Sequence, residues 1–302
     1  MGKGNMNKIF ALIIGTFLLA IAFSPHSSSM LPDIMTSNAT ITTDHNQTRW
    51  AVFIGYSGGF TYWHQRIFQN NDIRTLKRLL LTHGWDKDHI RCFLEKDATK
   101  DAILNTSFAW LQGADENDLI VYFVSMHGYY LPVDLPPIDE PDGKDERIFP
   151  YDPHYATWNW SVYIVDDEFA ARFNTLKSHN IVIIFDTCHS GGMIDGSSDF
   201  GGSGRVVLTS CGVDEAACMF LPRLHWLFPY FLIQGLRGRA DLNHDGFVSA
   251  EEALKYTERP VAFHSTINNL IFSHRLTAQH PQLSDGWPSV ENNTEELKLI
   301  EL

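Results

Sequence analysis

Asp118-Leu-Ile-Val-Tyr-Phe-Val-Ser-Met126 ends on His127-Gly128, and Asn180-Ile-Val-Ile-Ile-Phe-Asp186 ends on Thr187-Cys188-His189-Ser190-Gly191-Gly192. Both apolar runs are short, rich in β-branched and aromatic residues, and bounded by polar or glycine-rich stretches. That pattern predicts two buried strands of a parallel sheet. Ligands and chemistry collect at the carboxyl ends of such strands. The fold is therefore expected to carry an imidazole and a thiol to one rim of one sheet. An imidazole beside a thiol can take its proton or stabilise the thiolate, which equips a cysteine nucleophile.

The flanking sequence alternates strand and helix. Trp50–Gly55, His89–Leu94 and Arg205–Cys211 read as further strands. Gln65–His83 spaces Ile67, Phe68, Ile73, Leu76, Leu79 and Leu80 as a helix stopped by Gly84. Thr99 caps a helix reaching Trp110, and another covers Asp166–Lys177. This alternation predicts an α/β fold with a mostly parallel sheet and helices on both faces. Two long segments follow the His and Cys strands: Tyr129–Tyr155, with six prolines, and the glycine-rich Gly191–Gly204. Loops this long in a compact domain are functional or mobile, and these should flank the cleft.

Ser125-Met-His-Gly128 and Asp186-Thr-Cys-His-Ser-Gly191 resemble the His-Gly and Asp-x-Cys-His-Ser-Gly blocks of caspase and metacaspase cysteine peptidases. The Cys stands 61 positions after the His, near the upstream-His spacing of caspases. Arg49-Trp-Ala-Val-Phe-Ile-Gly-Tyr-Ser-Gly-Gly59 and Tyr62-Trp-His-Gln65 resemble instead the start of legumains. Both resemblances imply one caspase-like three-layer sandwich over roughly residues 49–258. The resemblance to self-processing families implies an activation-cleavage site in the Gly191–Gly204 loop, against the plain reading of a mobile loop.

Residues 1–29 are expected to lie outside this fold. Lys3 and Lys8 precede the 15-residue apolar run Ile9–Phe23, the pattern of a secretory signal. The run falls short of the roughly 20 residues that span a bilayer. A secreted or extracytoplasmic protein is expected, with an uncleaved membrane tether as the alternative. Residues 30–48 read as a linker, 49–285 as the peptidase domain, and 286–302 as an acidic, peripheral tail. Of the 302 residues, 36 are acidic and 23 basic; two of the basic ones precede Asp33, leaving a charge of −15 from there on. This argues against nucleic acid and anionic membranes as partners and leaves a peptide or protein substrate. Of the four cysteines, Cys211 and Cys218 are candidates for a local bridge, while Cys92 and Cys211 also read as plain core. Sequons occur at Asn38, Asn46, Asn105, Asn159 and Asn292.

In the expected chemistry Cys188 is the nucleophile and His127 the general base, then the acid to the leaving amine. Backbone N–H groups of Gly128 and Cys188 are the candidate oxyanion donors, as the resemblance also implies. His189 points elsewhere in an extended chain and is read as structural. Asp186 lies two residues before the Cys, so at strand period its carboxylate projects to the same side as the thiol. An acid there can bind a cationic side chain. In metacaspases the matching Asp helps bind Arg or Lys before the scissile bond; in legumains the matching acid serves Asn. Asn71-Asp72 resembles the Asn-Asp pair of metacaspases but falls inside the first helix, where a solvated face competes. Trp63 stands where the legumain pattern has Arg. Asp214 and Glu215 are further candidates for the pocket.

Asp241-Leu-Asn-His-Asp-Gly-Phe-Val-Ser-Ala-Glu-Glu252 matches the EF-hand calcium loop at every defining position. Asp241, Asn243 and Asp245 offer side-chain oxygens, Phe247 its carbonyl and Glu252 a bidentate carboxylate. Calcium is the expected cofactor. The leading expectation is a secreted cysteine endopeptidase cleaving after Arg or Lys. The alternatives are a silent calcium-binding caspase-like module and a legumain-like Asn-specific peptidase or transpeptidase.

Overall fold

Alternation along one strand decides the architecture. In Arg49–Tyr56, Ala51 and Phe53 face one apolar cluster while Val52 and Ile54 face another. A strand with both faces buried belongs to the middle of a layered α/β domain. The computed structural model describes residues 47–58, 63–154, 161–196, 199–272, 278–288 and 295–302. All lie within the unit His45–Leu302. The expected leader 1–29, nearly all of the linker, and Asn38, Asn46, Asn159 and Asn292 fall outside the described residues.

In chain order the strands are β1 (Arg49–Tyr56), β2 (Ile90–Leu94), β3 (Leu119–Met126), β4 (Gly128–Tyr130), β5 (Glu146–Ile148), β6 (Ile164–Val165) and β7 (Asn180–Asp186). They continue with β8 (Arg205–Thr209), β9 (Met219–Phe220), β10 (His225–Trp226), β11 (Phe247–Ser249), β12 (Gln282–Asp285) and β13 (Lys298–Glu301). The helices are α1 (Trp63–Thr82), α2 (Ser107–Leu111), α3 (Asp166–Phe173), α4 (Leu227–Gln234) and α5 (Ala250–Phe272). The main sheet has the order β12-β8-β7-β3-β1-β2. Its pairs are parallel except β12 with β8. Ile73, Leu76, Leu79 and Leu80 of α1 join α4 and α5 residues in the cluster on one face. Phe108, Leu111, Phe169 and Phe173 of α2 and α3 fill the other. This is the three-layer α/β sandwich expected from the sequence, with an antiparallel edge strand added.

Thr99 caps its helix as expected, its Oγ accepting the Ala102 N–H at 3.1 Å. The first turns there are π-helical, Ala102–Thr106, before α2 begins. Gly84, at φ +78°, ends α1 in the left-handed region. α5 continues through Pro260 to Phe272, its inner side burying Leu254, Val261 and Ser265 while Phe263 faces solvent. One expectation fails at the carboxyl end. The tail is not peripheral: β13 pairs antiparallel with β11, and Leu297, Leu299 and Ile300 are buried in the core. The neighbouring acids conceal that apolar triplet in the sequence. The bridge between Cys211 and Cys218 is also absent: both are buried free thiols, and Cys211 Sγ lies 3.2 Å from the Thr187 carbonyl. No described helix is long and apolar enough to cross a membrane.

Candidate active site

The register of the two central strands builds the site. Ser125 of β3 is paired with Asp186 of β7, so His127 and Cys188 follow two residues later at the same sheet end. Both line one cleft together with Tyr56, Ser57, Gln69, Asp186 and Trp226. The predicted dyad is thus brought together. Burial pushes the His127 imidazole down to about 4, against a hydrogen bond with the Ser57 backbone. Burial likewise pushes the half-buried Cys188 thiol up to about 11, against the Ala217 backbone hydrogen bond. At neutral pH the pair therefore rests as thiol and neutral imidazole.

Gly128 belongs here for steric reasons. A β-carbon on it would stand 2.4 Å from the Cys188 carbonyl oxygen and 3.0 Å from Thr187. Only glycine allows the backbones of the His and Cys segments to approach this closely. β4 holds that position through pairing with β5, Gly128 opposite Ile148. His189 has the structural place expected of it. Its Nδ1 lies 2.7 Å from the Val213 carbonyl, and its ring packs edge-on against Tyr129 and Tyr130.

Two carboxylates stand below the dyad. Asp186 is buried; Ser125 Oγ donates to its Oδ2 at 3.0 Å, and Gln69 Nε2 donates to the Ser125 carbonyl. Its Oδ1 is buried with no hydrogen-bond partner among the described residues. Burial, then the neighbouring Asp72, holds Asp186 well above the usual carboxylate range. Asp72 is 0% exposed, which overturns the solvated-face reading. It reaches inward from α1 to the Trp226 N–H and to His225. Asp214 is placed elsewhere: its side chain is 78% exposed, 4.0 Å from Lys144 Nζ, and does not line the cleft. Glu215 accepts from the Gly212 N–H at 2.8 Å and pairs with His280.

The Asp241–Glu252 segment, the expected calcium loop, turns at Gly246, which has φ +84°. Asp241 accepts the Asp245 and Gly246 N–H groups at 3.1 and 3.3 Å, and Asn243 Oδ1 accepts the Asp245 N–H at 2.9 Å. Glu252 is buried and accepts the N–H groups of Leu242, Asn243 and Ser249. Lys298 Nζ lies 2.9 Å from Asp245 Oδ2 and so competes there with any cation.

A tighter group of acids escaped the sequence reading. Glu140, Asp166 and Asp199 bring ligand oxygens within 4.8 Å of one another, as do Asp145, Asp166 and Asp167. Both oxygens of Glu140 and of Glu146, and one of Asp199, are buried without hydrogen-bond partners among the described residues. Burial and mutual repulsion push Glu140 up to about 10, Glu146 and Asp166 to about 9, and Asp199 to about 7. Such a set fits a hard cation with oxygen ligands. The segment after Cys188 packs on it: a β-carbon on Gly192 would stand 2.0 Å from the Glu146 carboxylate. The available signal was the density of acids in Tyr129–Tyr155 and at Asp166-Asp167, which has no metal-ligand spacing.

The sequence profile of the family "Metacaspase, peptidase C14 domain" matches residues 49–197. The chain is 30% identical over 154 residues to Metacaspase-4 of Arabidopsis thaliana, covering 49% of this chain and 35% of that protein. It is 31% identical over 136 residues to Metacaspase-1 of Lodderomyces elongisporus, covering 41% and 29%. The chain thus spans about a third of the length of these curated relatives. Among solved structures, protein GSU0716 from Geobacter sulfurreducens shares the fold, with TM-score 0.53, 15% identity, and coverage of 78% of this chain and 92% of that one. These matches lend nothing to the legumain-like reading of the opening segment. The family profile marks residues 49–197 as similar to the metacaspase peptidase domain, and the strand register brings His127 and Cys188 to one cleft within them.

Proposed function

We propose that this protein is an exported, calcium-dependent cysteine endopeptidase that cleaves after Arg or Lys. The observation that carries the reading is one cleft holding His127, Cys188 and two buried carboxylates, Asp186 on its lining and Asp72 behind it. As Cys188 Sγ attacks the scissile carbonyl, its proton passes to His127. The oxyanion forms against the N–H groups of Gly128 and Cys188. The C–N bond then breaks, His127 returns the proton to the leaving amine, and a Cys188 thioester remains for water to hydrolyse. The pocket acids suit a guanidinium or ammonium group, since the unpartnered Asp186 oxygen gains a charged donor only when such a group enters.

The calcium part rests on the carboxylates. Glu140, Glu146, Asp166 and Asp199 are the residues that would hold the ion, with Asp145 and Asp167 adjoining. Bound calcium supplies the positive charge that lets them ionise together. Because Gly192 abuts Glu146, ordering that cluster orders the segment that follows the nucleophile. Asp241, Asn243, Asp245, the Phe247 carbonyl and Glu252 offer a second calcium site of EF-hand type, against Lys298. Export rests on Lys3, Lys8 and the apolar run Ile9–Phe23.

The test is cleavage of fluorogenic peptides ending in Arg, Lys, Asn or Asp, with calcium or a chelator, beside Cys188→Ala. Calcium-dependent cleavage after Arg and Lys that vanishes in Cys188→Ala is expected. Preference for Asn would replace the specificity reading, and turnover by Cys188→Ala would refute the nucleophile.

A further inference from the structure

The hairpin β9–β10 is fastened to α1 at the back of the acid-lined pocket. Asn71 Nδ2 donates to the Leu224 carbonyl at 2.9 Å, and the Trp226 N–H donates to Asp72 Oδ2 at 3.1 Å. Between these contacts, His225 Nδ1 lies 2.5 Å from Asp72 Oδ1. Asp72 is wholly buried, and the His225 side chain is 17% exposed. Trp226, the next residue, lines the cleft, and Ala217, just before the hairpin, hydrogen-bonds Cys188. The second pocket acid is therefore held by an ionisable partner rather than by an amide or hydroxyl.

We propose that His225 is a positioning residue for basic-residue recognition, forming with Asp72 a neutral pair that gives up one proton when the substrate's cation binds. This rests on the reading of the pocket as one for Arg or Lys. At 2.5 Å a proton lies on the line between Nδ1 and Oδ1. With a second proton on Nε2 the His225–Asp72 pair is neutral overall and presents the pocket with no net negative charge from Asp72. A guanidinium or ammonium group beside Asp186 stabilises ionised Asp72, so the pair gives one of its two protons to solvent and the other stays on Nδ1, donating to Asp72. The groups facing His225 are Asp72 from α1, the Tyr230 ring from α4 at 5.8 Å, and Arg237 from the turn after α4. β9 brings Met219 and Phe220, which do not titrate. Burial and then Arg237 hold His225 below the ordinary imidazole range, which favours loss of the proton once a cation enters.

The experiment uses the full chain carrying Cys188→Ala, so that binding is read without turnover. Calorimetry with an Arg-ended peptide and its citrulline isostere is run in buffers of different ionisation enthalpy, between pH 6 and 8. His225 protein is expected to release about one proton more per Arg peptide than the variant does, and none with citrulline. His225→Gln, which keeps a donor but has no proton to lose, is expected to bind the Arg peptide with only the release that Asp186 gives in both proteins. His225→Asn is the second variant should Gln crowd the hairpin. Equal proton release with Gln or Asn at 225, or none with His225, overturns the proposal. Failure of His225 protein to bind the Arg peptide above citrulline overturns the reading of the pocket itself, and this inference with it.

Discussion

Asp186→Asn should move activity and stability in opposite directions. In the folded protein Asp186 is buried, one oxygen accepts Ser125 Oγ at 3.0 Å, and the other has no partner among the described residues. A bound Arg or Lys makes it half of a buried charge pair, and removing one member of such a pair costs about 3–5 kcal/mol. At 1.36 kcal/mol per decade, kcat/KM for Arg peptides falls roughly 10²- to 10³-fold or somewhat more. The citrulline isostere, which brings no charge, loses little. In the free protein the same change removes a desolvated carboxylate with an unmade bond, a relief of about 1–3 kcal/mol. For a domain of this size that raises Tm by several degrees at pH 7. The assay pairs kcat/KM for the two peptides with thermal melts of the same preparations. Equal losses for Arg and citrulline peptides, or a lowered Tm, would refute the argument that this oxygen awaits a cation.

Gly128→Ala places a β-carbon 2.4 Å from the Cys188 carbonyl; the forced shift costs about 1–3 kcal/mol of stability and misplaces the oxyanion donors. A kcat reduced less than tenfold would remove Gly128 from the catalytic geometry. In chelator, stability should fall as pH rises. Carboxylates with raised folded pKa values bind protons more tightly folded than unfolded, so their stabilisation is complete below the ordinary carboxylate range. It is lost toward the folded values, about 7 for Asp199, about 9 for Glu146 and Asp166, and about 10 for Glu140. Added calcium should raise Tm most near pH 8–9, and a calcium effect independent of pH would count against that cluster. Glu252→Ala strips three backbone N–H groups of their acceptor, so a loss of about 1–3 kcal/mol is expected even without calcium. A variant melting like the parent in chelator would show that Glu252 does not anchor the loop.

The dyad and the sheet were readable because their signals are local. His127 and Cys188 each follow an apolar run whose composition marks a buried strand, and the glycine after His127 marks a close approach. The capping Thr99 and Gly84 likewise act within a turn of their own position. The misreadings share the opposite character. Asp214 sits beside a strand end, yet its side chain leaves toward Lys144 and solvent. Leu297, Leu299 and Ile300 are buried only because β11, about 50 residues earlier, offers an edge to pair with.

By itself the sequence determined the α/β alternation, the strands that end in His127 and Cys188, and the types of residue available for thiol chemistry. Hydrophobic periodicity and turn chemistry act over a few residues, so they are written where they operate. Tertiary structure alone decided which acids meet. Asp72 comes from a helix and Asp186 from a strand, and the hairpin around His225 and Trp226 seals the first of them from water. Glu140, Asp166 and Asp199 converge from three separate segments. Desolvation and charge repulsion act through space, and no spacing along the chain records them.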